Sequence, residues 1–234
     1  VASGGLAVVD VSAIAPLRGL PVSEAANLRG LAVTKVVGKP GLPVVYTTIG
    51  AGAAPSMFNP ATAISTTLSN GNLTATHADT VVNTGARGVT ALNTGKYYFE
   101  FRVDVAPNSS DKLGLIKPAD SYGIAYASVA MSSNINVAGS FMGNLGGAFV
   151  ATNFCGIAVD FDAGMIWFRK NALLWNNSGA ANPATGAGGF AFAAGTALMP
   201  AVFFSSTAGT QYTINFGATA YANAAPAGFG NWVG

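Results

Sequence analysis

The segment Cys155–Trp175, CGIAVDFDAGMIWFRKNALLW, admits few folds. Ile157, Val159 and Phe161 alternate with Ala158 and Asp160, the two-residue period of a strand with one buried face. Asp162-Ala163-Gly164 reads as a three-residue hairpin loop whose glycine takes a positive φ. The chain returns through Met165-Ile166-Trp167-Phe168, rich in strand formers, and Arg169 and Lys170 close that run. Two antiparallel strands carrying this much aromatic surface are expected to be core rather than chemistry.

Strand signals recur along the rest of the chain. Ala63–Ser69 and Leu73–His77 flank Asn70-Gly71, a strong short-hairpin signal. In Lys96–Val105, Tyr97, Phe99, Phe101, Val103 and Val105 alternate with Tyr98, Glu100, Arg102 and Asp104, which predicts one buried side and one wetter side. Ser121–Met131 and Gly147–Val150 carry weaker signals, and Pro200–Ser205 with Gln211–Phe216 reads as a last pair. No window sustains a 3.6-residue period. Short strands separated by Gly and Asn turns, without helices, predict an all-β sandwich.

Charge is scarce. Only 9% of the 234 residues are Asp, Glu, Lys or Arg, against roughly 25% in ordinary soluble domains. From Ser121 onward the acidic and basic side chains are Asp160, Asp162, Arg169 and Lys170 alone. Charge is the main brake on association, so this depletion points to assembly with other subunits. A net charge of +2 with scattered Lys and Arg argues against nucleic acid as a partner. One cysteine excludes an internal disulfide and a cysteine-based zinc site, and one histidine excludes a histidine-rich metal site. The first residues lack a basic stretch followed by an apolar run, so no secretory leader is expected. The apolar segment Gly186–Phe204 is cut by glycines and Pro200, which suits strands and turns, so no membrane insertion is expected.

Residues 1–52 carry a repeat. Gly5-Leu6-Ala7-Val8, Gly19-Leu20-Pro21-Val22, Gly30-Leu31-Ala32-Val33 and Gly41-Leu42-Pro43-Val44 share one pattern, the last three 11 residues apart. This predicts an extended arm of short strands and tight turns. Units this small cannot bury their own apolar faces, so Leu6, Val8, Leu20, Val22, Leu31, Val33, Leu42 and Val44 are expected to dock on something else. Arg18, Arg29, Lys35 and Lys39 against Asp10 and Glu24 place the whole net charge in this arm. Gly50–Pro55 reads as a linker, dividing the arm at 1–52 from a body at 53–234.

The body resembles a SPRY domain. Gly95-Lys96-Tyr97-Tyr98-Phe99-Glu100, Tyr122-Gly123-Ile124-Ala125 and the hairpin from Gly156 to Asn171 carry the likeness, followed by Asn182-Pro183-Ala184-Thr185-Gly186, Met199-Pro200-Ala201-Val202 and Thr213-Ile214-Asn215-Phe216-Gly217. Phe58-Asn59-Pro60 and Leu68-Ser69-Asn70-Gly71-Asn72-Leu73 are similar to the opening of SPRY-like domains in bacteriophage proteins. The resemblance implies a bent, concanavalin-like antiparallel sandwich that binds partners through its loops and does not catalyse. The sequence departs from that pattern at Asn171-Ala172, where the family often has Asn-Gly. Partner-binding residues vary within the family, so none is carried over.

Other groupings read as structure. Asp160 and Asp162 stand two apart across a turn without a second carboxylate cluster, which favours turn-stabilising aspartates over a calcium or glycosidase site. His77 lies near Asp79, but no Gly-x-Ser-x-Gly elbow accompanies them. Gly143–Gly147 and Gly186–Gly189 lack the lysine of a phosphate loop. Cys155 is expected to be a buried small hydrophobe. No catalytic, metal-binding or cofactor-binding residue is expected.

These readings lead to a non-enzymatic structural protein of a bacteriophage virion. The arm would anchor it to capsid or tail proteins and to copies of itself, and the SPRY-like body would be displayed as fibre, spike or decoration. The alternative is an adhesin for a host-surface glycan or protein. It would act through Pro107–Asp120, Met131–Gly147 and Asn176–Gly189, with Tyr122, Trp175 and Trp232 offering ring faces to sugars.

Overall fold

The computed structural model describes residues 56–233 together with the strands β1 (Val36–Val37) and β2 (Val45–Tyr46). The chain divides into two compact units, Val1–Ala54 and Pro55–Gly234. In the first, β1 and β2 pair antiparallel, Val36 opposite Tyr46 and Val37 opposite Val45. Leu6, Val8, Leu20, Val22, Leu31, Val33, Leu42 and Val44 lie outside the described residues.

The second unit is built of strands β3 (Thr66–Ser69), β4 (Thr74–His77), β5 (Thr84–Arg87), β6 (Lys96–Val103), β7 (Lys112–Ile116), β8 (Ala127–Ala130) and β9 (Asn134–Val137). There follow β10 (Ser140–Asn144), β11 (Phe154–Asp160), β12 (Met165–Lys170), β13 (Phe190–Ala191), β14 (Met199–Phe204), β15 (Gln211–Asn215) and β16 (Gly230–Asn231). They form two sheets. One is six-stranded, in the order β10-β9-β8-β7-β14-β5; the other runs β13-β12-β11-β6-β15-β4-β3. Beside β6, where β15 ends, β16 adds a short parallel pairing, Gly230 with Tyr97 and Asn231 with Tyr98. Every other pairing among the described residues is antiparallel, so they form the expected all-β sandwich.

Alternation explains the core. Phe99 and Phe101 on β6, Ile157 and Val159 on β11, and Phe168 on β12 point inward from the larger sheet. They meet Leu113 and Leu115 on β7, Val129 on β8 and Val202 on β14 from the smaller one, all almost wholly removed from water. The central hairpin keeps its expected faces, but Ala158 and Trp167 on its far side are buried as well. Its register pairs Asp160 with Met165, so the loop has four residues, Phe161–Gly164, rather than three. Phe161 turns into the core, and Gly164 takes φ +63°.

The hairpin aspartates hold turns. Asp160 accepts from the Ala163 N–H at 2.9 Å and pairs with the Lys96 ammonium at 2.9 Å, while Asp162 accepts from the Gly95 N–H at 2.9 Å. Burial alone would raise the Asp160 carboxyl, but the hydrogen bond from Lys96 and the backbone donors outweigh it and hold the group below the ordinary carboxylate range. A depressed folded-state value stabilises the fold above the unfolded value of about 3.9 and loses that contribution as pH falls through the folded value. Lys96 is half exposed, which screens the pair. Asp160→Asn should therefore cost only about 1 kcal/mol at neutral pH. Thermal melts should show the gap from the native protein closing below about pH 4.

Three expectations need correction. Tyr98 and Glu100 were assigned to a wetter face, yet both are buried, because the 219–229 segment folds across that side of β6. Arg102 alone is openly exposed, its partner Asp104 at 3.3 Å being mostly covered, and Val105, assigned to the buried side, is exposed past the end of β6. Pro200–Ser205 and Gln211–Phe216 do not form a pair: β14 belongs to the smaller sheet and β15 to the larger. Gly147–Val150 is not a strand, and of Ser121–Met131 only Ala127–Ala130 is.

Candidate ligand-binding cleft

The polar outer face of the smaller sheet comes from simple alternation. On β9, Ile135 and Val137 enter the core while Asn134 and Asn136 point away from it. On β7, Leu113 and Leu115 go inward and Lys112 outward. The turn before β9 and the 105–111 connection after β6 meet through the Ser132 N–H to Ser109 carbonyl bond, 3.0 Å. Together they frame a cleft of ≈ 440 Å³ lined by Asn83, Ser110, Lys112, Ser132, Asn134 and Asn136, with Phe203, Phe204 and Tyr122 at its margin.

Two buried groups hold its walls. Asp111 accepts from the Ser205 N–H and from the Tyr212 hydroxyl, each at 2.7 Å, joining the 105–111 connection to the end of β14 and to the core. Burial, reinforced by that carboxylate, raises the Tyr212 hydroxyl far above its ordinary value, so it remains a donor. Arg87 donates to the carbonyls of Pro118 (2.9 Å) and Asp120 (2.7 Å) and stacks on the Tyr122 ring at 4.6 Å. The Tyr122 hydroxyl donates in turn to the Thr62 carbonyl at 2.8 Å. The 117–122 loop is thereby fixed over Ile116, Met199, Ala201 and Phe203.

The outer face of the larger sheet is mostly covered, leaving a smaller cleft of ≈ 270 Å³ beside Glu100, Arg102, Thr213 and Asn215. Glu100 accepts from the Tyr98 hydroxyl, from the Ala222 and Asn223 N–H groups at 2.8 and 3.0 Å, and from Asn223 Nδ2 at 3.0 Å. Arg169 donates to the Tyr98 hydroxyl at 3.0 Å and lies 4.4 Å from the centre of the Trp175 ring. Burial and the nearby Glu100 carboxylate push the Tyr98 hydroxyl far up, against the pull of Arg169. Among the described residues no group of three or more His, Cys, Asp and Glu side chains is placed to hold a metal ion. No helix among them is long and apolar enough to cross a membrane.

The SPRY domain of human HERC1 superposes on this chain with a TM-score of 0.55, covering 70% of this chain and 99% of that domain at 20% identity. The fold is that of SPRY domains. The PSpry domain of TRIM65 also aligns, at 14% identity and a TM-score of 0.48, over 69% of this chain and 89% of its own. No protein-family profile and no curated protein matches the sequence. At such identities the likeness carries the SPRY fold and no binding residue.

The SPRY fold brings together two of the three candidate loops: Pro107–Asp120 and Met131–Gly147 both reach the cleft. Asn176–Gly189 does not line it. Asn176 accepts from the Phe168 N–H at 2.9 Å and donates to the Gly188 carbonyl at 2.8 Å, and Gly189 lies against the Trp167 ring. The aromatic expectations fare worse. Trp232 is wholly buried in the core, Trp175 stacks under Arg169, and Tyr122 is 3% exposed. His77 is buried against Phe204, its Nδ1 2.9 Å from the Thr207 carbonyl, which suits a loop tie. Cys155 is also buried, and burial pushes its thiol well above the ordinary range. Asn134 and Asn136 fell within the candidate segment Met131–Gly147, which holds a strand there rather than a loop, and the polar lining residue outside every candidate segment was Asn83.

Proposed function

We propose that this chain is a non-enzymatic structural protein of a bacteriophage particle. Residues 1–52 anchor it to capsid or tail proteins and to copies of itself, and the SPRY-fold body is displayed as an appendage or decoration. The observation that supports this reading is that the described residues between 58 and 232 form a continuous core among themselves. A body with so few charges suits a subunit held in an assembly. Deleting residues 1–52 should leave the melting transition of the body in place while abolishing incorporation into particles. A truncated chain that incorporates normally overturns the anchoring role.

A second reading, recognition of a host surface, is favoured by one feature. Two loops far apart in sequence converge on a single open cleft whose polar side chains face solvent. Replacing Ser109–Ser110 and Ser132–Asn134 with glycine-serine sequence should then abolish binding of the purified protein to host cells. Unchanged cell binding sets this reading aside.

A further inference from the structure

The protein uses most of its asparagines to close its own loops. Asn59 and Asn182, each before a proline, accept from the N–H two residues on, at 3.0 Å. Asn108, Asn153, Asn171 and Asn176 make equivalent side-chain bonds to backbone N–H groups. Six others, Asn70, Asn83, Asn93, Asn134, Asn136 and Asn177, make no side-chain hydrogen bond among the described residues, and Asn83, Asn134 and Asn136 of these line the cleft together. The side-chain hydroxyls of Ser110 and Ser132 are free in the same way.

Charge in and around the cleft is one-sided. Lys112 is the one charged side chain lining it, and no carboxylate among the described residues lies within ion-pair distance of its ammonium. The Asp111 carboxylate is turned away and occupied by Ser205 and Tyr212. The Arg87 guanidinium is spent on loop carbonyls and the Tyr122 hydroxyl.

The floor is unsuited to a peptide strand, because β7, β8 and β9 are each paired on both sides. Apolar surface in the cleft is limited to the half-exposed Val82, since Phe203 and Phe204 are each only 3% exposed. What remains is an array of planar amides and hydroxyls, able to donate and accept at adjacent points, with one ammonium among them. That array matches vicinal hydroxyls and a carboxylate. A volume of ≈ 440 Å³ falls within the range of small-ligand sites, about 300–1,000 Å³.

We infer that this cleft binds an acidic oligosaccharide, with Lys112 on the sugar carboxylate and Asn83, Asn134 and Asn136 on its hydroxyls. The inference rests on the receptor reading and gives it a ligand class. The test is titration of the full chain with trigalacturonate and with sialyllactose, followed by amide chemical shifts. Maltotriose serves as the neutral control and triglutamate as the acidic peptide. An acidic saccharide should shift the amides of Lys112, Asn134 and Asn136, and maltotriose should bind about tenfold more weakly, as expected for loss of one charge-assisted hydrogen bond. Lys112→Met and Asn134→Ala should each weaken binding about tenfold with an unchanged melting temperature. The inference is overturned if neither acidic saccharide moves those amides, if Lys112→Met binds as the native chain does, or if triglutamate binds more tightly than both. Host-cell binding separates the two levels. Cell binding retained by Lys112→Met refutes the cleft chemistry alone, whereas its absence from the native chain removes the receptor reading too.

Discussion

Replacing Glu100 with alanine is expected to destabilise the body by about 3 kcal/mol, because two backbone N–H groups lose their acceptor inside a closed segment. At roughly 2–4 °C per kcal/mol for a body of this size, the melting temperature should fall by about 6–12 °C. The cause is local. Glu100 sits 2% exposed on β6, and the Ala222 and Asn223 N–H groups have no other acceptor among the described residues. Its loss also leaves the Tyr98 hydroxyl with only the Asn223 carbonyl, at 3.3 Å, as acceptor, while Arg169 still donates to that oxygen. Amide exchange at Ala222 and Asn223 should accelerate well beyond that of β11. Glu100→Gln, which keeps one acceptor but turns an NH₂ toward donors, should fall between the two. A melt lowered by less than about 2 °C would mean that the 219–225 segment is held by its apolar contacts alone.

Trp232→Ala carries the other large effect, about 3–5 kcal/mol, as for removal of a buried aromatic side chain, which corresponds to about 6–20 °C. The indole is fully buried although only Val233 and Gly234 follow it in the sequence. Its ring lies 5.3 Å from Phe99, 5.6 Å from Tyr97 and 5.8 Å from Phe161, and Nε1 donates to the Thr90 carbonyl at 3.2 Å. Removing it opens a cavity beside the central hairpin and releases β16 from β6, so protease should cut the last residues early. Trp232→Phe should retain most of the stability, because it keeps most of the volume and loses one hydrogen bond. A Trp232→Ala protein that melts with the native one would mean that the core closes without this indole.

These residues also show where sequence reasoning reached its limit. Alternation identified β6, β11 and β12, and Asn70-Gly71 marked the β3–β4 turn, where Asn70, Gly71 and Asn72 all take positive φ. The aspartates of the central hairpin were legible as turn formers because their chemistry acts within a few residues. The order of motifs from Gly95 to Gly217 pointed to a SPRY fold before any strand was placed. Trp232 was read as a surface ring because a terminal aromatic has no local signal of burial. Glu100 was read as solvent-facing because alternation reports which residues share a side, not what covers it.

The cleft divides in the same way. The loops that frame it were candidates from composition, but nothing in either loop states that Ser110 and Asn134 face one space. The same holds for the freedom of Lys112, which depends on the neighbouring carboxylate of Asp111 being turned inward to Tyr212.

By itself the order of residues determined the strand-and-turn character of the body, the faces of its central strands and its poverty of charge, because periodicity and turn chemistry act over a few neighbours. Only the tertiary structure decided that both sides of the β6–β11–β12 sheet are covered, that β14 and β15 part company into different sheets, and that one asparagine-rich face stays open. Those outcomes depend on contacts between residues as far apart as Tyr98 and Tyr221 or Asp111 and Tyr212, and contacts at that separation leave no pattern in a local window.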